Sequence, residues 1–130
     1  MTDGLRIVIV EDDALIAMDL ADLLIGMGHD VRAIAYTEAE GVAAAFRCEP
    51  NMMIVDGHLA EGSGVSAMRQ ILARGFVPHL YITGDPLQLL QLAPDAVIVA
   101  KPFTMNDLAS GIAKACGIAS LLPIGREMQE

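Results

Sequence analysis

Five short runs rich in valine and isoleucine, near residues 5–10, 30–36, 51–55, 78–82 and 96–100, alternate with stretches of helical periodicity. Few folds accept that alternation. Strands joined by helical crossovers must lie parallel, each crossover is right-handed, and the helices cover both faces of one open sheet. The helical pattern is clearest at 14–27 (Leu15, Met18, Leu20, Leu23, Leu24) and recurs at 38–48, 64–74 and 105–117, punctuated by Gly28, Pro50, Gly75 and Gly117. Thr104 followed by Asp107 has the spacing of a helix N-cap with an acid in the first turn. Pro86 and Pro94 leave room between them for only about two helical turns, Leu87 to Leu92, so the fourth helix is expected to be stunted.

Length and composition agree with a single α/β domain. The 130 residues suffice for one core, and the 54% hydrophobic content is that of a chain with strands buried on both faces. We expect a domain over residues 1–119 and a C-terminal tail over 120–130, where Leu121-Leu122-Pro123-Ile124 precedes mostly polar residues. A formal net charge of −9 argues against binding phosphate backbones or anionic lipid. With no run approaching the roughly 18 apolar residues of a membrane span, and acids where a signal peptide carries basic residues, a cytoplasmic protein is expected. Cys48 and Cys116 are isolated on helical stretches and read as packing residues.

Three of the apolar runs end on ionisable residues. Ile7-Val8-Ile9-Val10 closes on Glu11-Asp12-Asp13, Met52-Met53-Ile54-Val55 on Asp56, and Val97-Ile98-Val99-Ala100 on Lys101-Pro102. In an open parallel sheet the functional crevice lies at the carboxyl ends of the strands, where strand order reverses; the doubly wound order 2-1-3-4-5 puts Glu11, Asp12 and Asp56 there together. Clustered carboxylates repel one another unless a cation relieves them, and magnesium suits an all-oxygen set. Asp12 and Asp56 would be direct ligands, Glu11 would act through water, and the His58 carbonyl would complete the protein's share. A carboxylate beside a magnesium-bound phosphoryl group can attack it, which makes Asp56 the candidate nucleophile. Lys101 offers a positive charge for phosphoryl oxygens, Thr83 a hydroxyl, and Gly57 and Gly84 backbone amides.

These residues resemble the receiver domain of two-component response regulators over roughly residues 5–117. Val10-Glu11-Asp12-Asp13 resembles the first-strand acid pair of that family, Asp56 its phosphoacceptor, Gly64 the glycine opening the third helix, Thr83 the switch hydroxyl, and Lys101-Pro102-Phe103 its fifth-strand signature. The resemblance implies the flavodoxin-like strand order 2-1-3-4-5, a cis Lys101-Pro102 bond and bound Mg2+. It further implies a sensor histidine kinase or a histidine phosphotransfer protein as phosphodonor, and a downstream protein as the reader of the signal. On this reading the chain is a single-domain regulator or phosphate sink whose only chemistry is its own phosphorylation and dephosphorylation. Two departures stand out. Ile98 replaces the aromatic that usually precedes the lysine by three, and Ala60 replaces the proline usually four residues after the phosphoacceptor. Pro78-His79-Leu80-Tyr81-Ile82-Thr83-Gly84 is similar to the PFxFATGY motif of a subgroup of alphaproteobacterial single-domain receivers, matching at Pro78, Thr83 and Gly84.

Plainer readings stand beside these. Asp13 is expected to cap the first helix. His58 and Asp85 occupy rim positions equally suited to solvated loop residues, His29 and His79 read as turn and strand-end residues, and Tyr81 as packed near the sheet edge. The Leu87, Leu89, Leu90, Leu92 cluster is expected to be core more than docking surface. The rival functions are a pseudo-receiver that binds partners without phosphorylation and a magnesium-dependent aspartyl phosphatase. The phosphatase would need a second acid where His58 stands. A flavin carrier is disfavoured by the acidic first loop.

Overall fold

The computed structural model describes residues 4–121, and the side chains of residues 4–119. Strands β1 (Arg6–Val10), β2 (Asp30–Ala35), β3 (Met52–Asp56), β4 (His79–Thr83) and β5 (Ile98–Ala100) alternate with helices α1 (Ala14–Gly26), α2 (Glu38–Cys48), α3 (Gly64–Leu72), α4 (Pro86–Leu92) and α5 (Met105–Leu121). All strands are parallel, in the order β2-β1-β3-β4-β5. The alternation called for an open parallel sheet, and the strand order is the flavodoxin-like one that the receiver-domain resemblance implied.

Strand alternation divides the core in two. Ile7, Ile9, Met52, Ile54, Leu80 and Ile82 face α1 and α5, meeting Leu20, Leu24, Leu108 and Ile112. Val8, Val10, Met53, Val55 and Tyr81 face the other way, toward Ala44, Ala45, Val65, Met68 and Leu89 of α2, α3 and α4. Because successive side chains point to opposite faces, a strand covered on both must be apolar at every position. The central β3 meets that demand with five buried residues in a row, the last of them Asp56. Each fully buried aliphatic side chain contributes roughly 1.5–3 kcal/mol, so the force placing Asp56 comes mainly from the four residues before it.

Local signals set the helix starts. Asp13 caps α1, its carboxylate accepting from the amides of Leu15 and Ile16. Thr37 and Ser63 cap α2 and α3. Thr104 and Asp107 form a reciprocal pair, each side chain accepting from the other's backbone amide. The Lys101-Pro102 bond is cis.

Three expectations are corrected. α3 ends at Leu72, short of residue 74. α5 runs past Gly117, the expected stop, and ends at Leu121, two residues into the segment taken as the tail. A glycine lowers helix stability by only about 1 kcal/mol, and tertiary anchoring through Leu108, Ile112 and Ala115 outweighs it. Residues 122–130, the rest of that tail, lie outside the described residues. The third correction concerns α4, which has only seven residues, as its two prolines require. Of its four leucines only Leu89 is buried; Leu87 is 76% exposed, and Leu90 and Leu92 are exposed as well. Two turns present one face to the sheet, and a single residue fills it. Among the described residues, no helix is long and apolar enough to cross a membrane.

Candidate functional site

The carboxyl edge of the sheet gathers the ionisable strand ends. Asp56 is the last residue of β3, and two others are held by a backbone bond that extends the ladder by one rung: the Glu11 amide donates to the Ala35 carbonyl (2.9 Å), and the Lys101 amide to that of Thr83 (2.8 Å). Glu11, Asp56 and Thr83 are consequently buried, at 1%, 5% and 0% exposure. Asp12, one residue farther out, turns back over the edge, and carboxylate oxygens of Glu11, Asp12 and Asp56 lie within 4.8 Å of one another. Gly64 lets the next helix begin directly beneath: a Cβ there would collide with the Asp56 carbonyl oxygen and sit 2.6 Å from Val55 Cγ1.

Lys101 sits between two of the acids. Its Nζ donates to Asp56 Oδ2 at 2.8 Å and to Glu11 Oε1 at 3.1 Å. Burial alone would depress the ammonium's pKa, but hydrogen bonds to the two carboxylates hold it above its ordinary value. Lys101 is therefore charged. Glu11 shows the opposite strain on its charged form. Burial first, then its hydrogen bond and repulsion with Asp56, push its carboxyl up to about 7, against the pull of the Asp13 amide and Lys101.

The rim is built from backbone. The His58 amide donates to Asp56 Oδ1 (3.0 Å), and the Ala60 amide to Asp12 Oδ2 (2.7 Å). His58 itself is an exposed loop residue bridged to Ser63. One expected contact is overturned here: the Gly57 amide, assigned above to phosphoryl oxygens, donates to the Ile82 carbonyl at 3.0 Å. It serves the ladder, and the amide turned to Asp56 is that of His58. Thr83 Oγ1 accepts from the Asp85 amide at 3.0 Å, while Asp85 caps α4 through the Gln88 amide. Gly84, between them, is exposed, with nothing within 4 Å of a Cβ built on it.

The donor set suits a hard divalent cation. Three carboxyls face one ammonium, and the carboxylate groups that converge here offer only oxygen atoms to an ion. His29 and His79 lie elsewhere: the Leu5 amide donates to His29 Nδ1, and His79 Nδ1 pairs with the Val77 carbonyl. Sequence reading missed the Ala60 amide, 48 residues from the Asp12 side chain it meets. It missed Glu38 as well, which binds the far end of the same loop. No local pattern announces either, since both contacts exist only once β1, β3 and α2 are adjacent.

No family model matches the chain. Among curated proteins it is 37% identical over 114 residues to the phyllosphere-induced regulator PhyR of Methylorubrum extorquens, covering 85% of this chain and 43% of that protein. It is 32% identical over 111 residues to the transcriptional regulatory protein PdtaR of Mycobacterium tuberculosis, covering 82% and 54%. The chain thus spans about half the length of the curated relatives it matches. Among solved structures it superposes on the PhyR response regulator REC domain of Erythrobacter litoralis with a TM-score of 0.80 and 32% identity, covering 88% of this chain and 92% of that one. With similarity running through 92% of a receiver domain solved by itself, and acids at the ends of β1 and β3, the chain belongs to the response-regulator receiver-domain family of two-component signalling.

Proposed function

We propose that Asp56 accepts a phosphoryl group from a sensor histidine kinase or a histidine phosphotransfer protein, and that the chain passes the signal on through protein contact. The observation that carries this reading is the Lys101 ammonium held 2.8 Å from Asp56, beside the buried Glu11 and the more open Asp12 at the rim. An Asp56 oxygen attacks phosphorus as the bond to the donor nitrogen breaks, and the donor imidazole leaves with the electron pair. His58's amide orients the attacking carboxylate, and Lys101 is placed to meet the phosphoryl oxygens as their charge spreads. The exposed Gly84 amide and the Thr83 hydroxyl complete the far side. Asp12 and Asp56 would hold Mg2+ directly, Glu11 through water, with the His58 carbonyl as a further ligand; the ion would supply positive charge to the phosphoryl oxygens.

Output runs through α4. Thr83 Oγ1 is bonded to the Asp85 amide that starts α4, and Leu89, the helix's buried anchor, would meet a Gly57 Cβ at 3.1 Å. A Thr83 hydroxyl drawn toward a phosphoryl group pulls on both. Ile98, half-buried in β5, has no ring to rotate, so the signal falls on α4 and its exposed leucines.

Intact mass after incubation with magnesium and acetyl phosphate tests the chemistry. One phosphoryl group is expected on the wild type and none on Asp56→Asn or in chelator. A folded wild type that neither gains mass nor forms a beryllofluoride complex refutes it, and leaves a phosphorylation-independent interaction module. Turnover of a small phosphate ester beyond one equivalent would instead mark a phosphatase.

A further inference from the structure

The loop between β3 and α3 supplies the two amides that meet Asp56 and Asp12, and within residues 57–63 the apolar anchorage is that of Leu59, half-buried against the core. The far arm of the loop is held from outside. Glu38, in the first turn of α2, places Oε1 2.9 Å from the Ser63 amide, and Oε2 2.7 Å from both Ser66 Oγ and Gln70 Nε2. Its own amide donates to the Glu61 carbonyl at 3.1 Å. One residue thus grips the loop's last arm and the first turns of α3 at four points. Gly62 records how close the approach is. It adopts φ +87°, and a Cβ there would overlap the Glu38 carboxylate and lie 2.5 Å from Glu38 Cβ.

We infer that Glu38 is a positioning residue for the phosphoacceptor site, acting through the loop. The path is short: Glu38 fixes Ser63, Ser63 is bridged to His58, and the His58 and Ala60 amides hold the Asp56 and Asp12 carboxylates. Its three donors also hold the Glu38 carboxyl below the usual range, the Ser63 amide most of all, so the clamp stays charged at neutral pH. Charge-assisted bonds of this kind are the stronger sort, and here they join α2 to α3. This inference rests on the proposed function for its catalytic consequence, but the grip on the loop can be tested independently.

The test compares wild type, Glu38→Ala, Glu38→Gln and Glu40→Ala by amide hydrogen exchange and by Mg2+ titration followed through amide chemical shifts. Glu40 sits in the same first turn and accepts only from the Tyr36 amide, which makes it a control for helix-terminal charge. Glu38→Ala should speed exchange at Ser63, His58 and Ala60 about tenfold or more, and weaken Mg2+ binding several-fold. Glu38→Gln keeps an acceptor for Ser63 and should recover most of both, while Glu40→Ala should move neither. With acetyl phosphate, Glu38→Ala should slow phosphoryl uptake without abolishing it. Unchanged exchange at His58 and Ala60 in a folded Glu38→Ala variant overturns the inference. So does a loss of Mg2+ affinity shared by Glu40→Ala. A wild type that neither takes up a phosphoryl group nor forms a beryllofluoride complex sinks the proposed function, whereas the exchange and metal data still decide the role of Glu38.

Discussion

Glu11 should impose a pH dependence on stability that is unusual for a carboxylate. Its pKa rises from 4.5 to about 7 on folding, through burial and then the neighbouring Asp56. Between those values the folded chain keeps a proton that the unfolded chain has released, so stability falls as pH rises through that window and levels off above it. The gap corresponds to on the order of 3 kcal/mol, or a loss of about 10 °C in Tm for a domain of this size. Glu11→Gln removes the titration. The substitution also disturbs the acceptor for the Asp13 amide, but that shifts the whole curve without tilting it. The assay is urea unfolding followed by far-UV circular dichroism, since the chain has no tryptophan, in chelator from about pH 5 to about pH 8. Wild type should lose stability across the range relative to Glu11→Gln, and excess Mg2+ should flatten the difference by favouring the ionised carboxylates. Parallel wild-type and Glu11→Gln curves in chelator would refute the electrostatic account of the site.

The leucines of α4 give a second test. Leu89→Ala should cost about 2–4 kcal/mol in urea unfolding, and Leu87→Ala no more than about 0.5 kcal/mol, because one is buried and the other 76% exposed. Two glycine substitutions should differ in sign. Gly64→Ala forces a methyl group into the Asp56 backbone and should lower stability by about 3 kcal/mol, while Gly117→Ala, exposed within α5, should raise it by about 0.5–1 kcal/mol. Thermal melts of both variants would show whether the close approach at the site and the continuity of α5 are read correctly.

Much of this molecule was legible along the chain because its signals are local. A strand buried on both faces must be apolar throughout, so Met52 to Val55 announced β3, and an acid closing such a run had to emerge at the sheet's edge. The same logic marked Glu11 and Lys101, and two prolines bounded α4. Caps at Asp13 and Thr104 are contacts over two or three residues, and their spacing alone reveals them. What depended on tertiary structure was everything set by which atoms meet across the fold. Composition made the α4 leucines look like core, yet a two-turn helix has one inward face and Leu89 takes it. Gly117 looked like a stop, but packing of the turns before it carries α5 onward. The Gly57 amide belonged to the ladder because β4 lies beside it, and Lys101 chose Glu11 together with Asp56 because β5 and β1 deliver them to one point. Glu38 reached a loop 25 residues away only because α2 and α3 are neighbours. Periodicity and backbone chemistry are written residue by residue, so the sequence alone determined the elements and the chemistry at their ends. Distances between residues far apart in the chain follow from how the layers pack, and that packing decided which of those ends act together.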